Sequence, residues 1–185
     1  MVYDKEFRGN FVYFKSINEE DAEFSFNIRN AENNRSTVGQ LAESVEAQRE
    51  FIRRQRQKPG DYYFVVYNNN DEKIGLIGVY DIVGDAGEVG REVNDGSPVE
   101  AMEAEILLED FAIDILGLKR KIAVIYTNNR KHIKSQQKLG YEPVGTVTRG
   151  GTECLLFETA FDKEHTKKIR QLINQLASKK GGNQL

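Results

Sequence analysis

The stretch GEVGREVNDGSPVEAMEAEILLEDFA, residues 87–112, followed by LGLKRKIAVIYTNNRKHIKSQQKLGYE, residues 116–142, decides the fold of this 185-residue chain. Residues 87–94 read as a strand, the fourth in the chain. Ala101, Ala104, Leu107, Leu108, Phe111, Ala112 and Ile115 then recur at helical spacing, and Gly117 closes the strongest helix in the sequence. KRKIAVIYT, residues 119–127, reads as a fifth strand, followed by a helix over about 130–139 that Gly140 stops. The switch between a period of two and one of about 3.6 marks an α/β or α+β domain.

Working outward, residues 11–17 form a first strand, and Asn18 caps a helix to about Asn30, with Glu19, Glu20 and Asp21 at its positive end. A second helix starts near Ser44, carries Arg49, Arg53 and Arg56 on one face, and ends at Pro59-Gly60. YYFVVY (62–67) and KIGLIGVYDI (73–82) flank the turn-forming NNNDE and predict a hairpin; VGDAG turns into the fourth strand. Two last strands, near 142–149 and 152–161, turn at Arg149-Gly150-Gly151-Thr152. The organisation expected is one domain over 1–162, an amphipathic helix over 163–180 with Ile169, Leu172, Ile173 and Leu176 on one face, and a disordered tail over 181–185. That helix is expected to pack on the domain or on a second subunit, which makes a homodimer plausible.

A formal net charge of -3 argues against nucleic acid or an anionic membrane as partner and favours a small-molecule or protein substrate. Cys154 is the single cysteine, so neither an internal disulfide nor a thiolate metal cluster can form, which suits the cytoplasm. No apolar run approaches the roughly 18 to 20 residues that span a bilayer, and MVYDKEFRGN lacks a basic-then-apolar signal pattern. His132 and His165 sit on different elements without a partner at ligand spacing and read as solvent-facing or capping residues; Cys154 reads as core. P-loop, G-x-S-x-G and dinucleotide fingerprints are missing, and no metal is expected.

The order of strand, loop, long helix, strand, Asn-bearing helix and Gly-Tyr ending resembles the cofactor half of the GNAT superfamily of acetyltransferases. LGLKRKIAVIYTNN and KLGYE carry the resemblance most specifically. GREVNDGSP and DAEFSFNIRN are similar to bacterial small-substrate and amino-sugar members, with ribosomal-protein N-terminal acetyltransferases as close relatives. The resemblance implies an α+β fold with a mixed, mostly antiparallel seven-stranded sheet, splayed between its fourth and fifth strands and flanked by helices. It implies acetyl-CoA as co-substrate and an amine as acceptor. Carried over, Glu92, Val93 and Asn94 border the pantetheine arm, with a backbone N–H of Val93 or Asn94 polarising the thioester carbonyl. Gly96, Ser97, Val99, Glu100 and Ala101 lie in the pyrophosphate loop, Asn129 touches pantetheine, and Arg130, Lys131 or Lys134 meets the outer phosphates. The rationale is physical as well, since ligands bind beyond parted strand ends and helix N-termini attract phosphate.

Two departures stand beside this. Of the family's R/Q-x-x-G-x-G/A loop only Ala101 fits, and Ser97-Pro98-x-Glu100 reads equally as a capping box whose carboxylate competes for the same donors. Gln136 occupies the position where many relatives carry a tyrosine that protonates the leaving thiolate, and glutamine has no acidic proton to give. Tyr126 and Tyr80 are substitutes by phenol chemistry, or packed strand aromatics. For the proton of the acceptor amine, period two puts Glu88, Gly90 and Glu92 on one exposed face, with Glu88 as first choice of base and Asp81 second; the alternative is a solubilising strand edge. Three functions remain open: acetylation of a small primary amine such as a nucleotide-linked amino sugar, whose phosphates the Arg49/Arg53/Arg56 face would meet; acetylation of a protein N-terminus; and a non-catalytic binding module.

Overall fold

The computed structural model describes residues 1–182, and among these it builds an eight-stranded sheet where seven strands were expected. The extra strand is β1, Phe7–Arg8, paired antiparallel with β2, Val12–Ser16; two residues are too few to show a period. The other strands are β3 (Tyr62–Asn68), β4 (Lys73–Val83), β5 (Ala86–Asn94), β6 (Arg120–Tyr126), β7 (Gly145–Arg149) and β8 (Thr152–Ala160). Their order is β1-β2-β3-β4-β5-β6-β8-β7, antiparallel throughout except for β5 beside β6. That pair is parallel because a helix, α3 (Pro98–Asp110), crosses between them.

Local chemistry starts and stops the elements as the letters suggest. Asn18 Oδ1 accepts the Glu20 N–H at 2.7 Å while Asp21 Oδ2 accepts the Asn18 N–H at 2.8 Å, opening a 3₁₀ turn that leads into α1, Ala22–Asn30. Ser44 Oγ accepts the Ala47 N–H at 3.1 Å to start α2, Val45–Gln57, and Gly60 turns the chain out with φ 67. Asn129 caps α4, Arg130–Lys138, by accepting the His132 N–H at 3.1 Å.

Alternation along the strands feeds two cores. Tyr63, Val65, Leu76 and Val93 point to α1 and α2, where they pack on Ile17, Ala22, Ile28 and Ile52. Phe64, Val66, Ile77 and Val79 point the other way, onto Ala104, Leu107, Leu108, Phe111 and Ala112 of α3 and the turn after it. A widened π-type turn, Phe111–Ile115, ends this helix and leaves Ile115 exposed, off the apolar stripe expected of it. Three glutamates of α3 are buried with it, each held by donors. Glu103 accepts the backbone N–H groups of Asn10, Phe11 and Val12; Glu109 accepts Lys121 Nζ and the Tyr141 hydroxyl, each at 2.8 Å; Glu105 faces α4. Burial without such partners would cost several kcal/mol per carboxylate.

Helix α5, Lys167–Gly182, lies against α3 through buried Ile173 and an ion pair of Arg170 with Asp110 at 2.8 Å. Ile169, Ile173 and Ala177 form its inner face, while Leu172 and Leu176 turn outward, unlike the single stripe expected. It starts later than residue 163 and runs two residues into the stretch read as a tail; residues 183–185 of that stretch lie outside the described residues. Among the described residues no helix is long and apolar enough to cross a membrane.

Candidate functional site

The parallel pair β5–β6 is in register only over residues 86–89 against 120–123. Beyond that the strands part, as expected between the fourth and fifth strands of the sequence reading, and a cleft of about 540 Å³ opens there. Its walls come from Val89, Gly90 and Glu92 of β5, Val124 and Tyr126 of β6, Asn129 and His132 at the start of α4, Phe51 of α2 and the connection 37–43. That connection is tied across the cleft by Asn128 Nδ2, which donates to Ser36 O at 2.7 Å, and Asn129 Nδ2, which donates to Thr37 O at 3.3 Å.

A β-bulge decides which side chains face the cleft. Leu76 pairs with Val93 but Gly78 with Gly90, so β5 carries one residue more than β4 over this span. The surplus falls at Arg91, whose φ is 52. Regular alternation would keep Glu88 and Glu92 on one face, and the bulge separates them. Arg91 follows Gly90 onto the α2 face, where it lies 4.1 Å from the Tyr80 ring centroid and donates to both oxygens of Asp61 at 2.6 and 2.9 Å. Glu92 turns to the opposite face, towards α3 and α4.

Glu88 is therefore not the exposed carboxylate expected of it. It is 7% exposed; its Oε1 accepts the Tyr80 hydroxyl at 2.8 Å, and Arg149 donates to its two oxygens at 2.5 and 2.8 Å. Arg149 comes from the end of β7, far away in sequence, and no local pattern announces the pair. Burial, then the charge and hydrogen bond of Glu88, push the Tyr80 phenol up, which commits it to that contact. Asp81 is exposed at a second bulge with φ 48, ion-paired to Lys58 at 2.7 Å, and does not line the cleft. Tyr126 does line it.

His132, read as solvent-facing or capping, is half-buried in the wedge, with Nε2 3.1 Å from Glu92 Oε2. Donor-type atoms of Glu92, Glu105 and His132 lie within 4.8 Å of one another. The carboxamide of Gln136 and the hydroxyl of Ser135 donate to the two oxygens of Glu105. Burial pushes the Glu92 carboxyl up to about 7; burial and then the charge of Glu92 push Glu105 up to about 7; burial lowers the His132 imidazole. The sequence signal existed, since His132 and Gln136 are one turn apart on α4. What Glu92 and Glu105 would face there was missing.

The backbone of β5 is more selective than expected. The Asp95 N–H bonds Ile74 O at 2.9 Å and Val93 pairs with Leu76, so Val93 turns its peptide groups to β4. By alternation Asn94 faces the wedge, and its carbonyl accepts Lys131 Nζ at 3.3 Å. At the start of α3 the capping geometry is formed: Glu100 Oε2 accepts the Ser97 N–H at 2.8 Å and the Ser97 hydroxyl at 2.7 Å, while the Gly96 N–H donates to Asn94 Oδ1 at 2.8 Å. Val99 and Ala101 are half-buried, and Lys134 is exposed on α4.

The arginine face of α2 lies away from the cleft. Arg49 pairs with Glu46, Arg53 with Glu19 and Glu50, and Arg56 donates to Ile17 O at 2.5 Å. The arginines among the cleft's lining residues are Arg29, Arg54, Arg91 and Arg149.

Residues 12–142 match the family model described as the acetyltransferase (GNAT) domain. The apo structure of a nucleotide-linked sugar GNAT is similar with a TM-score of 0.74 at 20% identity, covering 90% of this chain and 94% of that one. A GCN5-related N-acetyltransferase from Brucella melitensis gives 0.76 at 14% identity, covering 95% and 86%. Ribosomal-protein-S5-alanine acetyltransferase from Vibrio fischeri gives 0.70 at 19% identity, covering 86% and 98%. Among curated proteins no sequence matches.

Proposed function

The chain belongs to the GNAT acetyltransferase family, and from that premise we propose that it transfers the acetyl group of acetyl-CoA to a primary amine of a small molecule, by direct attack in a ternary complex. The observation that carries this reading is the cleft of about 540 Å³ at the parted ends of β5 and β6, a size typical of small-ligand pockets, roughly 300 to 1,000 Å³. The ties from Asn128 and Asn129 to residues 36 and 37 narrow it on one side, which favours a compact acceptor over an extended peptide.

The residues present fit acetyl-CoA in part. Asn94 faces the wedge with its peptide groups, the geometry needed to pair with an amide-bearing arm and to polarise a carbonyl. Asn129 stands at the start of α4, and Lys131, with Arg130 and Lys134 beside it, supplies positive charge near the wedge. The bound group would supply an activated thioester; the chain would supply binding, orientation and proton transfer. Arg29 and Arg54 suit an acceptor that carries an anionic group, such as a nucleotide-linked amino sugar: Arg29 spends one donor on Gln40 O at 3.1 Å, and among the described residues Arg54 approaches Glu50 at 3.8 Å.

One observation favours a second reading, a binding module without turnover: the Glu100 carboxylate occupies donors at the α3 N-terminus that a pyrophosphate would use. Calorimetric titration with acetyl-CoA, followed by a panel of sugar amines, nucleotide-linked amino sugars and short peptides, separates the readings. Micromolar binding with turnover of a sugar amine is expected. Turnover of peptides alone would favour a protein N-terminus as acceptor. Absence of binding at millimolar acetyl-CoA would overturn the proposal in favour of the binding module.

A further inference from the structure

Acetyl transfer to an ammonium group releases two protons from nitrogen, and one must be supplied to sulfur. The resemblance puts Gln136 where many relatives carry a tyrosine that protonates sulfur, and Gln136 is buried and turned to Glu105 rather than to the cleft. One turn earlier on the same helix, His132 does reach the cleft, and so does Glu92 from the strand opposite. Their facing atoms are 3.1 Å apart, and both side chains are mostly enclosed, at 17% and 15% exposure.

We propose that Glu92 and His132 form the acid–base pair of the transfer, Glu92 taking the proton of the acceptor ammonium and His132 sharing it. This rests on the acetyl-transfer reading above. The proton balance closes within the pair. R–NH3⁺ gives one proton to Glu92, which passes it to solvent; nitrogen bonds the carbonyl carbon as the C–S bond breaks; the second proton released by nitrogen returns through the pair to sulfur. The products are an acetamide, a thiol and one proton in solution.

Geometry selects Glu92 over the two carboxylates that the strand pattern offered as bases, Glu88 and Asp81. Glu88 has both oxygens on Arg149 and does not line the cleft, and Asp81 sits on the outer surface with Lys58. The Glu92 carboxyl instead has the His132 ring nitrogen 3.1 Å away. The charged groups around the pair are Glu105 from α3, Lys121 from β6 and Lys131 from α4. Burial holds the Glu92 carboxyl near 7 instead of the usual carboxylate range, so it exchanges a proton close to neutrality, where general bases work best.

The test uses the full chain and its Glu92→Gln, Glu92→Asp and His132→Gln variants. Turnover of Glu92→Gln is expected to fall about 10²-fold or more, with acetyl-CoA affinity within threefold of the unsubstituted protein, and Glu92→Asp to retain part of the rate. The second readout needs no turnover. The chain has two histidines, and NMR titration of a His165→Gln background reports the His132 imidazole alone. Its curve is expected to shift when Glu92→Gln is added. Unchanged turnover together with an unchanged imidazole titration in Glu92→Gln would overturn the pair; should that variant fail to fold, full turnover with an unchanged pH profile in Glu92→Asp would do the same. Failure of the unsubstituted protein to bind acetyl-CoA would overturn the acetyl-transfer reading itself, and the pair's catalytic role with it.

Discussion

Glu88 and Glu92 are the same residue type four positions apart, and their surroundings give them different work. Glu88 is a strut: two guanidinium donors and one phenol hold it, and through it the β7–β8 hairpin is fastened to the cleft wall. Glu88→Gln should lower stability by about 1 to 2 kcal/mol, the scale of a lost charged hydrogen bond, because Arg149 is 44% exposed and recovers water. Urea unfolding reads this, and the loss of turnover should be well below that of Glu92→Gln. A larger catalytic loss in Glu88→Gln than in Glu92→Gln would reverse the two roles. Glu88 was legible as a strand glutamate of interest, but its partner comes from residue 149, and no local pattern spans 61 positions.

At the scale of elements, the α3 N-terminus combines two functions that compete. The Ser97-Pro98-x-Glu100 box starts the helix by placing a carboxylate over free N–H groups, and the same groups are the natural cradle for a pyrophosphate. Glu100→Ala should therefore strengthen acetyl-CoA binding severalfold by calorimetry while costing roughly 0.5 to 2 kcal/mol of stability, the range for a lost cap. Unchanged affinity would mean that the phosphates lie elsewhere, nearer Lys131 and Lys134. Strand β5 shows the opposite limit of sequence reading. Its existence and length follow from residues 87–94, yet its bulge depends on Arg91 adopting φ 52, a conformation uncommon outside glycine. The bonds to Asp61 and the ring of Tyr80 hold it there.

Across the whole molecule, burying Glu92 and Glu105 side by side ties stability to pH. Their folded pKa values, raised from 4.5 to about 7, mean that the folded state keeps protons which the unfolded chain has released. Their contribution is fully present below about pH 4.5 and is lost as pH rises through about 7. The lowered His132 acts in the opposite sense, so the informative quantity is a difference. Urea unfolding of the unsubstituted chain and of Glu105→Gln across pH 4.5 to 7.5 should show the gap between them changing in favour of the variant as pH rises. Parallel curves would mean that Glu105 takes up protons alike in the folded and the unfolded chain.

Read alone, the sequence determined a domain that mixes helices and strands, the order of all its elements but the first short strand, and the cap at Asn18. These follow from hydrophobic periodicity and capping chemistry, both short-range properties written in neighbouring letters. Only the tertiary structure decided the two-residue strand β1, the reversal of Glu92 by the bulge, the burial of Glu103, Glu105 and Glu109, and the meeting of Glu92 with His132. Each of these depends on which distant groups arrive to satisfy a buried charge or a strained backbone, and that is settled when the sheet and helices pack, not by the order of residues along the chain.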